Sequence, residues 1–291
     1  MINFEYTYET GSKPIEERFQ FDFKPISRPL MPWRDEVLNT AQLIANSTTR
    51  PLMLCLSGGL DSEVMARAFL ECNIPFTAIS FKHSAGTNMH DIEYAIRFCN
   101  TNNIEHKIVE FDFNDFLDNK IENYIQQGYR GSRMFRFLLM FMLETIESLG
   151  GCAVMGAGEH DYKTIDNKIC LTYMYNFVLP IEWCKRNNTV HFPYFYMHNP
   201  EIFASYMKTD IVNVVLSDPG YFKTPFRTSI SLEKILLFHC MWDNMERRSK
   251  ENGFKFVSAE RNAKDIKLAQ RFPDIELLRI PVDKVKLQLG I

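Results

Sequence analysis

At 291 residues the chain has room for one large α/β domain or for a domain with an appendage. A formal charge of −3 and a pI near 6.2 leave no electrostatic footprint for nucleic acid, and no run of like charges is long enough to form a tail. The seven cysteines include no C-x-x-C pair and sit mostly in apolar stretches, which argues against zinc and disulfides and for buried free thiols in a reducing cytoplasm. Met1-Ile2-Asn3-Phe4-Glu5 is neither basic nor followed by an apolar core, and the apolar stretch Phe137 to Leu143 is far too short to span a membrane. A cytoplasmic protein with no membrane partner is the expectation.

Residues 2–8 and 18–23 alternate in polarity as strands around Gly11-Ser12-Lys13-Pro14. They predict a long-looped hairpin over residues 1–33, or an arm that pairs with the main sheet or with a neighbouring subunit. Pro25, Pro29 and Pro32 close this segment, and Arg34 to Asn46 carries Val37, Leu38, Ala41, Ile44 and Ala45 at helical spacing. Leu52 to Leu56 is then an unbroken apolar run of the length of a strand buried on both faces of a parallel sheet. Ser57-Gly58-Gly59-Leu60-Asp61-Ser62 follows at once, and a helix runs on from Glu63 to Cys72. Strand, glycine turn and helix bring several backbone N–H groups and a helix N-terminus to one point, a ready anion site. The glycines let a ligand approach the backbone, and Ser57 and Ser62 add hydroxyls. Asp61 is a carboxylate inside this cradle; it would repel an anion unless a divalent cation bridged them, so it reads as a magnesium ligand.

A strand at Phe76–Phe81, a polar loop at Lys82–Asn88, a helix at Asp91–Cys99 and a strand at Glu105–Phe111 come next. Three βα repeats predict a doubly wound parallel sheet with ligands outside the carboxyl ends of its strands. Here His106 begins a strand, where a structural hydrogen bond and a catalytic role are both open. Residues 112–130 are polar and helical, and Gly131-Ser132-Arg133 opens a long apolar helix to Leu149. Cys152 to Met155 is a further buried strand, ending in Gly156-Ala157-Gly158-Glu159-His160-Asp161. Once more a strand end meets a glycine turn with an acid beyond it. From Tyr162 to Tyr206 the aromatics show no tidy period; Thr172–Trp183 and Phe192–Met197 would line an acceptor pocket or pack a helical lobe. Glu201–Leu216 and Ala259–Phe272 read as helices.

Ser-Gly-Gly-Leu-Asp-Ser after a buried strand resembles the pyrophosphate loop of the N-type, or PP-loop, ATP pyrophosphatases, matching their SGGxDS pattern in full. The phosphate-loop lysine pattern of kinase-like enzymes is absent. Asp91 through His106 resembles the matching helix and strand of asparagine synthetase-like domains, and the turn at 156–161 resembles their SGEGxDE turn in part. That resemblance implies an adenine nucleotide alpha hydrolase-like fold, with ATP near Leu56 and Phe81, on Ser57, Gly58, Gly59, Leu60, Asp61 and Ser62, and against Gly156 and Gly158. It implies Mg²⁺ held by Asp61 and Asp161, with Glu159 the alternative to Asp161. The segment from Ser231 to Phe254 follows the family's GKxxLR and R-x-K order, so Lys234, or else Lys250, would be the cation beside the intermediate.

The activity implied is AMP-forming adenylation of a carboxylate on a small molecule or peptide, followed by attack of an amine or ammonia. No glutaminase domain is expected in a chain of this length, so nitrogen would come free, on the substrate, or from a separate amidotransferase; a homo-oligomer is a further expectation. The implied organisation is the arm, an ATP domain at 34–165, and a helical acceptor-binding lobe with a tail at 166–291. Two other readings compete: a base-modifying enzyme acting on tRNA or a deazapurine, and a non-catalytic nucleotide-binding module.

Overall fold

The computed structural model describes residues 2–6, 19–23, 25–158, 161–217, 241–242, 245–246, 257–273 and 276–291. β1 (Ile2–Tyr6) and β2 (Phe19–Phe23) pair antiparallel, as their alternation predicts. The prolines that follow lead into α1 (Trp33–Asn46), which buries Val37, Ala41 and Ile44 on one face. Glu36 on that helix is fully buried, and it survives there because Arg28 binds it with both guanidinium nitrogens, at 2.6 and 2.5 Å, while the Met31 N–H donates at 3.0 Å.

The central sheet is parallel. β3 (Leu52–Cys55), β4 (Thr77–His83), β5 (His106–Phe111) and β6 (Cys152–Met155) lie in the order β5-β4-β3-β6. α2 (Leu60–Glu71) and α3 (Met89–Thr101) link the first three strands. Each strand of the β3/β6 pair is buried along its whole length, which is why both read as continuous apolar runs rather than as alternation. The chain moves from β3 to β4 to β5 on one side, then returns to place β6 on the other side of β3. This reversal makes the β3/β6 boundary a topological switch point, with a crevice at the carboxyl ends of the two strands.

Residues 112–130 fold as α4 (Phe113–Asp115), a π-turn at Phe116–Lys120 and α5 (Ile121–Gln126). They are less polar in effect than their composition suggests, since Phe113, Phe116, Leu117, Ile121 and Tyr124 all enter the core. α6 (Met134–Ser148) is the apolar helix expected, and it buries Phe137, Leu138, Leu143 and Ile146 against the sheet. Only Leu149, Gly150 and Gly151 separate it from β6, so it runs antiparallel to that strand and its first turn stands at the crevice end.

The aromatic stretch beyond residue 161 corrects a helical expectation. β7 (Asp161–Ile165) and β8 (Lys168–Met174) form an antiparallel hairpin, and β9 (Glu276–Pro281) joins β8 to complete a three-stranded sheet. The two-residue connection Asp166-Asn167 has φ values of 50° and 56°, the pair of left-handed conformations that a type I′ hairpin needs. Asp and Asn accept that backbone, and their adjacency between two alternating runs was the available signal. Beyond β8 the described residues also form α7 (Leu179–Arg186), α8 (Pro200–Lys208), α9 (Asp210–Ser217), α10 (Ser258–Arg271) and α11 (Val282–Leu289), with short 3-10 turns at Tyr175–Val178 and Phe195–Met197. The helix read across 201–216 is two helices, broken at Thr209, whose ψ of 141° is extended. The six cysteines among the described residues are free thiols, and all but Cys72 are buried, as expected from their apolar surroundings. Among the described residues no helix is long and apolar enough to cross a membrane.

Candidate nucleotide site

The turn after β3 is shaped by its own side chains. Gly58 has φ +79°, and a Cβ there would lie 1.7 Å from the Asp91 carbonyl oxygen, so the first turn of α3 closes over it and only glycine fits. Ser62 Oγ donates to Gly59 O at 2.9 Å and lies 3.3 Å from the Ser57 N–H, which donates to it. Ser57 Oγ in turn accepts from the Gly59 N–H at 3.3 Å. Ser62 is buried and its proton is committed to the loop, whereas Ser57 is exposed. The two hydroxyls expected as ligand donors thus divide into a brace, Ser62, and an open group, Ser57.

α2 begins at Leu60 with Gly59 as its N-cap and no side-chain cap. The N–H groups of a helix's first turn point along its axis, so the fold aims these amides and the positive end of a helix dipole at the sheet's switch point. Asp61 lies on this first turn and is partly exposed. Leu56 is buried beneath the turn, Leu60 is half-buried, and Phe81 is half-buried at the neighbouring strand end with its ring edge on Phe141 at 6.1 Å.

His106 is accounted for structurally. Ser80 Oγ donates to Leu56 O at 2.6 Å, so it accepts from His106 Nε2–H at 2.8 Å. The pair supports the carbonyl immediately before the glycine turn. Burial holds the His106 imidazole below its ordinary pKa, consistent with a neutral donor.

The second glycine turn stands beside the first. Cys55 and Met155 are direct partners in the parallel ladder, so the chain leaves both strands side by side. A Cβ at Gly156 would lie 2.8 Å from Ser62 Cα and 2.9 Å from Asp61 O, so this glycine is required by the close approach of the two turns. Gly158, at φ +110°, meets the segment that follows β6 in space: a Cβ there would lie 3.1 Å from Met197 Cγ and 3.4 Å from Tyr194 Cβ. Asp161 opens β7, and its side chain lies outside those described. Glu159, Lys234 and Lys250 also lie outside the described residues.

Tyr196 is a contributor that sequence reasoning missed. Its hydroxyl donates to the Asp61 carbonyl at 2.7 Å, its N–H donates to Ala157 O at 3.3 Å, and its ring stacks on Trp33 at 6.2 Å. One residue therefore ties both turns to α1. No local pattern announces it, because the contact joins residues 135 positions apart.

Residues 35–146 match the family model described as asparagine synthase. None of the curated proteins matches this sequence. Among solved structures, the chain is similar to the NMN synthetase of Francisella tularensis, at 12% identity over 82% of this chain and 92% of that one, with a TM-score of 0.35. It is similar also to the NH3-dependent NAD synthetase of Campylobacter jejuni subsp. jejuni, at 15% identity, 83% and 93% coverage and a TM-score of 0.36. A third is the U34-tRNA thiolase of Methanococcus maripaludis, at 14% identity, 86% and 87% coverage and a TM-score of 0.33. The matched span, residues 35–146, holds the SGGxDS turn at 57–62 and strands β3, β4 and β5 of the parallel sheet.

Proposed function

We propose that this protein is an ATP-dependent, AMP-forming enzyme that adenylates a carboxylate and passes the acyl group to an amine or ammonia. The observation that supports this most is the juxtaposition of the turns after β3 and β6 at the switch point, with an uncapped helix start at the first. In this reading the adenine of ATP lies at the strand ends near Leu56 and Phe81. The β- and γ-phosphates rest on the N–H groups of the turn and of the first turn of α2, with the Ser57 hydroxyl beside them. Asp61 and Asp161, or Glu159 in place of Asp161, would hold Mg²⁺; this ion takes one or two carboxylates and completes its shell with phosphate and water. When bound, it offsets phosphate charge and improves the leaving group.

A carboxylate oxygen of the acceptor attacks the α-phosphorus, and the bond to the bridging oxygen breaks so that pyrophosphate leaves with the electron pair. The amine nitrogen then attacks the acyl carbon, AMP departs, and the amine releases a proton as the amide forms. The chain's own part is to align the two reactants, a contribution on the order of 7 to 11 kcal/mol when the geometry is good. Lys234 or Lys250 would supply the cation beside the developing charge. The buried free thiols suit a reducing cytosol as the setting.

The test is ATP–pyrophosphate exchange measured with Mg²⁺ against a panel of small carboxylates, in the wild type and in Asp61→Ala. Exchange falls by roughly a hundredfold or more in the variant while its circular dichroism is unchanged, if Asp61 serves the reacting phosphates. Equal exchange in the two proteins would remove Asp61 from the mechanism.

A further inference from the structure

β5 is the last strand on its side of the parallel sheet, and among the described residues no strand pairs with its outer edge. The Ala78 N–H donates to Glu105 O at 2.8 Å and the Ser84 N–H to Phe111 O at 2.9 Å, so residues 105, 107, 109 and 111 turn their backbone groups toward β4. His106, Ile108 and Glu110 therefore turn theirs outward, and a row of outward backbone groups is a template for another strand. The side chains along this edge are open as well. Glu105, Lys107, Ile108 and Glu110 are all exposed, and Ile108 keeps 45% of its surface in water although β3 and β6 of the same sheet are buried throughout.

The spelling of this edge is complementary to itself. Ile104-Glu105-His106-Lys107-Ile108 runs apolar, negative, imidazole, positive, apolar, and read backwards it is the same with the signs exchanged. Laid antiparallel on a copy and centred on His106, each Ile104 meets Ile108 and each Glu105 meets Lys107. The backbone agrees with this register. His106 faces outward and can exchange hydrogen bonds with His106 of the copy, while the Ile108 N–H reaches Ile104 O; the Ile104 N–H is already given to Cys99 O at 2.9 Å. Glu105 and Lys107 then form the non-hydrogen-bonded pairs, in which side chains stand closest. A slip of two residues either way sets Lys107 against Lys107 or Glu105 against Glu105, and a slip of one sets outward backbone groups against inward ones. Little is given up in exchange: within one chain Glu105 accepts from Thr77 Oγ1 at 3.1 Å and lies 3.5 Å from Lys107, a solvent-exposed pair of small worth.

We propose that the outer edge of β5 docks a second copy of this chain, the two β5 strands pairing antiparallel about a two-fold axis at His106, so that two four-stranded sheets continue into one. The pairing uses the same residues of both copies, as a two-fold interface requires. The switch point between β3 and β6 lies away from this edge, so both crevices stay open whether or not they adenylate a carboxylate.

Sedimentation velocity on the full chain, from low to high micromolar concentration, tests it, with circular dichroism to check the fold of each variant. The wild type sediments as a dimer. Glu105→Lys and Lys107→Glu each set like charges against one another across the pair and weaken self-association by about tenfold or more. The double variant Glu105→Lys/Lys107→Glu exchanges the two charges, leaves them opposite again, and recovers the dimer. So does an equal mixture of the two single variants, although neither pairs with itself. Ile108→Lys, the variant to rely on if a charge reversal does not fold, sets a charge against Ile104 and dissociates the dimer too. A wild type that stays monomeric overturns the proposal and makes Glu105 and Lys107 charges that guard an edge against pairing. A dimer indifferent to the single variants also overturns it, because its interface then lies elsewhere. Single variants that dissociate, with no recovery in the double variant or the mixture, overturn the register and the self-complementary pairing with it.

Discussion

The turns after β3 and β6 start from the same local situation, a four-residue buried strand running into glycine, and they are finished by different means. The first is completed mostly within six residues: Ser57 and Ser62 brace the backbone, and a helix begins at Leu60. The second is completed from a distance. Its glycines are fitted to Ser62, Met197 and Tyr194, its Ala157 carbonyl is taken by the Tyr196 N–H, and it leads to a strand, not a helix. A site whose contacts are local can be recognised by its spelling, whereas a site whose contacts are distant is defined by what packs on it.

Substitutions at the glycines break this comparison most directly. Gly58→Ala should have the largest effect, since the new Cβ would meet the Asp91 carbonyl at 1.7 Å with φ held at +79°. The expected loss is roughly 2 to 5 kcal/mol of unfolding free energy together with nucleotide binding, read by urea denaturation and by titration with ATP. A neutral outcome would mean that α3 does not close on the turn. Gly156→Ala should come next, at about 1 to 3 kcal/mol, because its Cβ would approach the Ser62 backbone at 2.8 Å. If the two turns share one site, this variant also weakens ATP binding although it leaves residues 57–62 untouched; a variant that loses stability and keeps full ATP affinity would separate them. The smallest effect should come from Tyr196→Phe. It removes one hydrogen bond to the Asp61 carbonyl, worth about 0.5 to 1.5 kcal/mol, and retains the ring on Trp33. Its signature is a fall in exchange rate greater than the fall in stability, and equal falls would make the hydroxyl a packing feature only.

The relation between the two turns also explains where reading the residues succeeded. α1, α2, α3, β3 and β6 were legible because burial on both strand faces and helical spacing are properties of neighbouring residues, and β4 and β5 because short strand-like runs alternate with those helices. The β7–β8 hairpin was missed because β7 is short and partly exposed, and because its signal was confined to Asp166-Asn167. Tyr196 was legible only as one member of the Phe192–Met197 aromatic stretch, and neither its bond to Asp61 nor the stacking of Arg136 on Phe177 could be read from the residues. Each is one aromatic or one arginine among many, and only the return of segment 192–197 to the edge of β6 gives them their neighbours.

What the amino-acid order determined by itself was the strand-turn-helix at 52–71 and the chemistry its spelling implies, since i to i+4 hydrogen bonds, glycine dihedrals and strand burial need no distant partner. What only the tertiary structure decided was adjacency. Placing β6 beside β3 brings Gly156 onto Ser62 and, with the return of segment 192–197, sets Tyr196 on Asp61, contacts created by chain reversal across a sheet and encoded in no single stretch of residues.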